Sequence, residues 1–430
     1  MNGSANINYF FIEFAAQLRR VEVLVNTHTQ DLRPVIQSGL QPDLILPGMT
    51  NATRFGPSLV RGIPAEIWKN IQSETECTLT YHFPPSMELI DKRSITFVVA
   101  IQEVCSPKKV KEINACIRQC LTWLYIAQKN AKKNKCNESP LVVYLFLSPL
   151  PKMLPLEKGK KKEKATLDWC NANSAFTMVC DDSDATLRSN KINKTKARQI
   201  IIFRQEEWFK VFVHETFHNY GFDFSGASDD LLSQSTVFTA KKLYPIRSEM
   251  NVYEAYTECW ARILMIVFSC VYGRAPESDA KYLACLNERF AEEIGFSFFQ
   301  AGKVLEYMDI PSYGHLIRGQ GLSRGISDLY REKTSILAYY IITLVLFSNY
   351  PAFIEWSFKQ NANMNKSTAF RLSDYIVFYQ NKSNMDSFLS FLQTHYKTPT
   401  LTKNIDAVIR DIHGTKRKTL VHKTMRMTYK

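Results

Sequence analysis

The stretch Val211-Phe212-Val213-His214-Glu215-Thr216-Phe217-His218-Asn219-Tyr220-Gly221 constrains this chain more than any other. In a helix, residues four apart differ by about 40° around the axis, so His214 and His218 project from one face, a single turn apart. Two imidazoles placed this way can grip one zinc ion through neutral nitrogens. Glu215 stands beside them, where a carboxylate can act as general base toward water. Phe209, Phe212, Val213 and Phe217 give the same helix apolar surface, and Gly221 is a natural helix stop. Gln199-Ile200-Ile201-Ile202-Phe203 reads as a strand leading straight into it. Any fold that accepts this unit must dock the helix in a core and keep its histidines toward a cleft. The plain alternative is two histidines that share a helix face by chance. The chain has eight histidines, and His28, His82, His395, His413 and His422 show no paired spacing.

A zinc site needs at least three protein donors. Downstream, Glu254 and Glu258 fall one turn apart at the start of Asn251–Tyr272, an otherwise apolar helix in which unpartnered carboxylates are costly to bury. One glutamate can complete a ligand set while the other accepts the free ring N–H of a ligating histidine. The competing reading is an exposed ladder, with Glu258 and Arg262 paired at i,i+4.

H-E-x-x-H on one helix followed by E-x-x-x-E on a later one resembles the gluzincin clan of zinc metallopeptidases, over roughly residues 77–275. The resemblance implies His214, His218 and Glu254 as ligands of one Zn2+ ion, Glu215 as base and proton shuttle, and Glu258 as partner of a ligating histidine. It implies an α+β fold, in which a zincin-like catalytic domain (a mixed sheet packed on the active-site helix) is followed by a mostly helical C-terminal region. It also implies a peptide or protein substrate whose backbone pairs with an edge strand, for which Asn173, Ser174 and Ala175 are the candidates. A plain sheet edge is the alternative there. Gluzincins recruit a distant group to stabilise the oxyanion; Tyr339, Tyr340 and His315 are candidates, with core packing the plainer role for the tyrosines. The related metzincin pattern would put a third histidine at position 224, where Phe224 stands, and neighbouring Asp223 stays open as an alternative ligand. The chain also resembles metallopeptidase-like proteins of large nucleocytoplasmic DNA viruses, which implies a virion-associated or cytoplasmic location.

At 430 residues, 45% hydrophobic and 22% charged, with 27 Phe and 20 Tyr, the chain can bury a sizeable core, which excludes disorder as its main state. The expected organisation is a region of unassigned role at 1–70 and a metal-binding α/β region at 71–275. A helical region at 276–412 completes the cleft, and a basic tail follows at 413–430. Strands are expected at Cys77–Phe83, Ser94–Ile101, Leu141–Leu147 and Ser174–Val179, and helices at Lys111–Asn130 and Glu206–Tyr220.

The net charge of +13 concentrates in Lys129–Lys135, Lys158–Lys164 and Lys416–Lys430. Such runs read first as solvated loops and tails, and secondly as weak electrostatic contacts with nucleic acid or an anionic surface. Ten cysteines without a C-x-x-C pair read as free thiols in a reducing compartment, and the N-terminal residues lack the pattern of a secretory signal. Ile263–Val271 and Ile336–Phe347 are too short to span a bilayer and read as buried core helices. Two other function classes stay open: a zincin-fold structural or virion protein without useful catalysis, and a basic nucleic-acid-binding protein with an incidental histidine pair.

Overall fold

The computed structural model describes residues 3–40, 43–44, 53–54, 62–85, 89, 93–132, 134–155, 166–179, 197–248, 250–273, 278–317, 329–362, 370–415 and 419–429. Six strands form one mixed sheet: β1 (Val35–Ser38), β2 (Cys77–Phe83), β3 (Ile95–Ile101), β4 (Leu141–Ser148), β5 (Ala175–Thr177) and β6 (Arg198–Arg204), in spatial order β1-β2-β3-β4-β6-β5. β3, β4 and β6 run parallel, while β1, β2 and β5 pair antiparallel with their neighbours. The central strands are buried along almost their whole length, as expected of strands covered on both faces. Their alternate residues feed two cores. Phe97, Val99, Val143, Ile200 and Ile202 join the main one; Val98, Val142, Tyr144, Ile201 and Phe203 face a smaller one closed by Ile67 and Ile71 of helix α2 (Ala65–Glu74).

Helices cover the other face. α1 (Gly3–His28) and α3 (Pro107–Asn130) pack together, and α3 starts where Ser106 caps the Lys109 N–H and Pro107 presets the first turn. α4 (Trp208–Tyr220) follows β6 after a three-residue link, and its residues are buried from Lys210 to Tyr220. Phe217 stacks on Trp123 of α3, whose indole N–H donates to Thr216 Oγ1 at 2.6 Å. The helix ends at Gly221, whose φ of 67° lets its N–H turn back onto the carbonyls of Phe217 and His218. α5 (Val252–Tyr272) lies against α4, and α6 (Asp279–Tyr307) against α5. A π-helical turn, Leu337–Ile342, runs into α7 (Thr343–Phe347), and α8 (Pro399–Gly414) packs on α6.

The fold is therefore α+β, helix-rich, with a six-stranded mixed sheet. Phe10, Phe14, Leu18 and Val25 of α1 are fully buried in the same core as α4, and β1 extends the sheet. Two sequence expectations are revised. Among the described residues 419–429 the C-terminal segment is not wholly solvated, because Met425, Met427 and Thr428 are buried against the body of the protein. Nor are all the cysteines free. Cys270 and Cys285 form a disulfide that clips the end of α5 to the start of α6, with Cα atoms 6.0 Å apart, and Cys136 is also disulfide-bonded. Cys270 and Cys285 are spaced by no motif, and the packing of α5 on α6 is what brings them together.

Of the other basic runs, Lys158–Lys164 lies outside the described residues, as does the polar loop 181–196. Lys129 and Lys132 sit over the rings of Tyr125 and Tyr379. Among the described residues no single helix is long and apolar enough to cross a membrane.

Candidate metal centre

α4 and α5 cross so that the two histidines of one meet the first-turn carboxylate of the other. His214 Nε2 lies 3.2 Å from His218 Nε2 and 3.1 Å from Glu254 Oε2, and His218 Nε2 lies 3.3 Å from the same oxygen. Three donors held tetrahedrally on a small divalent ion at about 2.0–2.1 Å stand about 3.3 Å from one another. The observed triangle has that size, and His214, His218 and Glu254 together could hold a metal ion.

Each histidine is anchored through its other nitrogen. His214 Nδ1 donates to Glu258 Oε2 at 3.1 Å, and His218 Nδ1 donates to Asp223 Oδ2. These bonds fix both rings with Nε2 toward the shared point. Asp223 is brought under its histidine by the left-handed turn at Gly221, and it also accepts from Thr257 Oγ1 (2.9 Å), Ser225 N (3.2 Å) and Ser225 Oγ (2.7 Å). Glu258 accepts from Lys210 Nζ (2.8 and 3.0 Å) and Arg262 Nε (2.9 Å) besides His214. The ladder to Arg262 thus exists, but at 1–2% exposure it is a buried network rather than a surface pair.

The charge balance favours a cation. Burial acts to keep both imidazoles neutral, yet the carboxylates of Glu254 and Glu258 raise His214, and those of Asp223 and Glu254 raise His218 well above the usual range. Burial alone would raise Glu254, but the two histidines outweigh it and hold the carboxylate low. A divalent ion held by these groups would supply positive charge to the same carboxylates from one atom.

A small, partly open cleft with room of about 30 Å3 lies beside this cluster. His214, Glu215, Lys210 and Val211 of α4 line one side, Ala172, Asn173, Ser174 and Ala175 another, and Tyr339 and Met427 close it. Burial raises the Glu215 carboxyl above its ordinary value. Burial, helped by nearby Glu254 and Glu215, raises Tyr339 well above the phenol range, so its hydroxyl stays protonated as a donor. Among the described residues β5, which begins at Ala175, is an outer strand that pairs with β6, and Ser174 Oγ is buried without a hydrogen-bond partner.

The structure separates the three oxyanion candidates. Tyr339 faces the cavity; the Tyr340 hydroxyl instead donates to the Met425 carbonyl, and His315, in Tyr313–Leu316, bonds Ser312 and does not line the cavity. Asp223 enters not among the three donors but as the anchor of one. Phe224, where a third histidine was sought, is fully buried against Phe378 with ring centroids 4.5 Å apart. Lys210, Glu207, Lys152 and Met427 have no role on sequence grounds; one signal was available for Lys210, which stands one turn before His214 on the same helix face. Comparison with protein-family models, with curated proteins and with solved structures gives no match.

Proposed function

We propose that this protein is a zinc-dependent metallopeptidase of gluzincin type that hydrolyses peptide bonds in the cavity beside His214. The carrying observation is the convergence of three donor atoms, 3.1–3.3 Å apart, from two helices, with a buried glutamate on the adjacent helix position and a partly open cleft beside them. A zinc ion held there supplies Lewis acidity, lowering the pKa of a coordinated water toward about 7 and polarising a carbonyl. His214, His218 and Glu254 would hold it.

The remaining roles belong to the chain's own groups. Glu215, with its raised pKa, accepts the proton of the attacking water on a carboxylate oxygen and hands it to the departing amine nitrogen. The Tyr339 hydroxyl, protonated and facing the cavity, donates to the oxygen that gains charge as the carbonyl carbon becomes tetrahedral. Ser174 and the outer strand β5 offer hydroxyl and backbone partners to an extended substrate. Glu258 and Asp223 keep the two rings aimed, and the apolar packing of α4 keeps bulk water out.

Elemental analysis of the purified protein, with the parent beside His214→Ala and Glu215→Gln, tests the proposal. The parent should carry one zinc per chain and cleave a peptide library. His214→Ala should lose the metal, while Glu215→Gln should keep it and lose about 10²–10⁴-fold in turnover. A parent without zinc, or a Glu215→Gln variant with undiminished cleavage, refutes it.

A further inference from the structure

The segment Thr419–Tyr429 forms part of the cavity wall, although it is far in sequence from every other lining residue. Met427 stands in the same cavity as His214 and Glu215, with its sulfur 3.7 Å from Lys210 Nζ. The segment crosses the body of the protein as a strap. Thr424 bridges Met153, Met425 N donates to the Lys152 carbonyl at 2.9 Å, and Leu154 N to the Lys423 carbonyl at 2.7 Å.

What grips the strap is unusual for a core element. Its backbone is held largely by buried charges. Glu207, fully buried and paired with Lys152, accepts from Met427 N (2.8 Å), Thr428 N and Thr428 Oγ1 (2.7 Å). Glu293 accepts from Tyr429 N through both oxygens, at 2.9 and 3.0 Å, and Lys303 Nζ donates to the carbonyls of Val421 (2.9 Å) and Thr424. Apolar anchorage is thin. Met425 and Met427 are buried, whereas Leu420, Val421 and Tyr429 are 66%, 40% and 46% exposed.

Water can take over hydrogen bonds to carboxylate and ammonium groups when a segment lifts away, whereas an apolar core exposed the same way has no such recourse. A segment with few buried apolar contacts and many polar ones belongs to the low-stability end of a fold, from which lids are drawn. From this we infer that Thr419–Tyr429 is a detachable cover of the cavity. Docked, it walls the site at Met427 and admits only short, extended peptides. Released, it uncovers a groove in which Glu207, Glu293 and Lys303, having read this chain's backbone, are free to read that of a longer unfolded substrate. The substrate statement rests on the peptidase reading, whereas the cover itself does not.

The test weakens the strap at two of its grips. Glu293→Gln removes the charge that holds Tyr429 N, and Thr428→Val, a second variant, removes only the hydroxyl bond to Glu207. A reporter thiol is placed in the cavity by Ser174→Cys, where the native hydroxyl has no partner to lose. Its alkylation by a bulky maleimide is followed by mass spectrometry, alongside hydrogen exchange of the amides at 425–429. Losing one charge-assisted bond should speed both by on the order of tenfold in either strap variant. Equal alkylation rates with and without the strap substitutions, together with strap amides that exchange as slowly as those of β3, make the segment a fixed wall and overturn the inference. In a parallel assay on the chain with native Ser174, Glu293→Gln should raise cleavage of an unfolded protein relative to a short peptide. If neither is cleaved while position 174 still reacts faster in the strap variants, the peptidase reading fails and the cover stands.

Discussion

Replacing Asp223 by asparagine is a sharp probe of the centre, because it changes charge and donor count while keeping shape. The carboxylate is fully buried and receives four donors, His218 Nδ1 and Thr257 Oγ1 on one oxygen and Ser225 N and Oγ on the other. An amide offers one acceptor oxygen, so its NH2 must face two of those donors. If it turns toward Ser225, the hydroxyl can rotate to accept, but the backbone N–H is left orphaned, at about 1–3 kcal/mol of folding stability. For the metal the loss is separate: His218 keeps at best a neutral partner. Removing such a partner of a ligating histidine weakens metal affinity by about 10–100-fold, or about 1.4–2.7 kcal/mol. Competition with a chromophoric chelator measures the affinity, and thermal melting of the metal-free protein measures the stability. Thr257→Val is the control, since it removes one donor to the same carboxylate and leaves the histidine bond in place. A folded Asp223→Asn protein that binds zinc within twofold of the parent would show that this carboxylate does not position His218 for a metal.

Three further outcomes are expected. Burial raises Glu332 to about 7, so between about pH 4.5 and 7 the folded state binds more protons than the unfolded one, and stability falls as pH rises through that window. The fall is as much as about 3 kcal/mol; Glu332→Gln should flatten it, and melting curves of both proteins at pH 5 and pH 8 check the difference. Removing the Cys270–Cys285 bond, which closes a 15-residue separation, should lower stability by about 3 kcal/mol in denaturant titrations of Cys285→Ala beside the parent without reductant. Gly302→Ala should destabilise by about 1–3 kcal/mol, because the added Cβ would lie 2.5 Å from Val408 Cγ1 where α6 and α8 meet, and Val408→Ala should restore part of the loss in the same assay.

What could be read in advance follows from distance along the chain. His214 and His218, and again Glu254 and Glu258, are four apart, so helical geometry alone puts each pair on one face. The strands Cys77–Phe83 and Leu141–Ser148 likewise show themselves by composition. The choice between Tyr339 and Tyr340 was illegible because a π-helical turn sets the phase there, and the ordinary 3.6-residue period does not predict which of two adjacent tyrosines faces inward. Lys416–Lys430 looked like a solvated tail because its charge hides Met425 and Met427, and because its partners Glu207, Glu293 and Lys303 lie more than a hundred residues away. Asp223 was visible as an acid beside the motif, but its task depends on the reversal at Gly221. The cysteine pairing required knowing that α5 and α6 are neighbours.

One core takes side chains from Phe10 to Met427 and surrounds a helix that lies midway between them. A nascent chain that has emerged only as far as Tyr272 already carries all three donor residues, but neither the disulfide partner Cys285, nor Tyr339, nor the strap. Such an intermediate could capture an ion before it had a finished cleft to use it in. Contacts between segments this distant also close slowly. During that interval the bound cation would act as a nucleus, holding α4 against α5 while the later helices arrive, so that refolding with a chelator present should be slower than refolding with zinc.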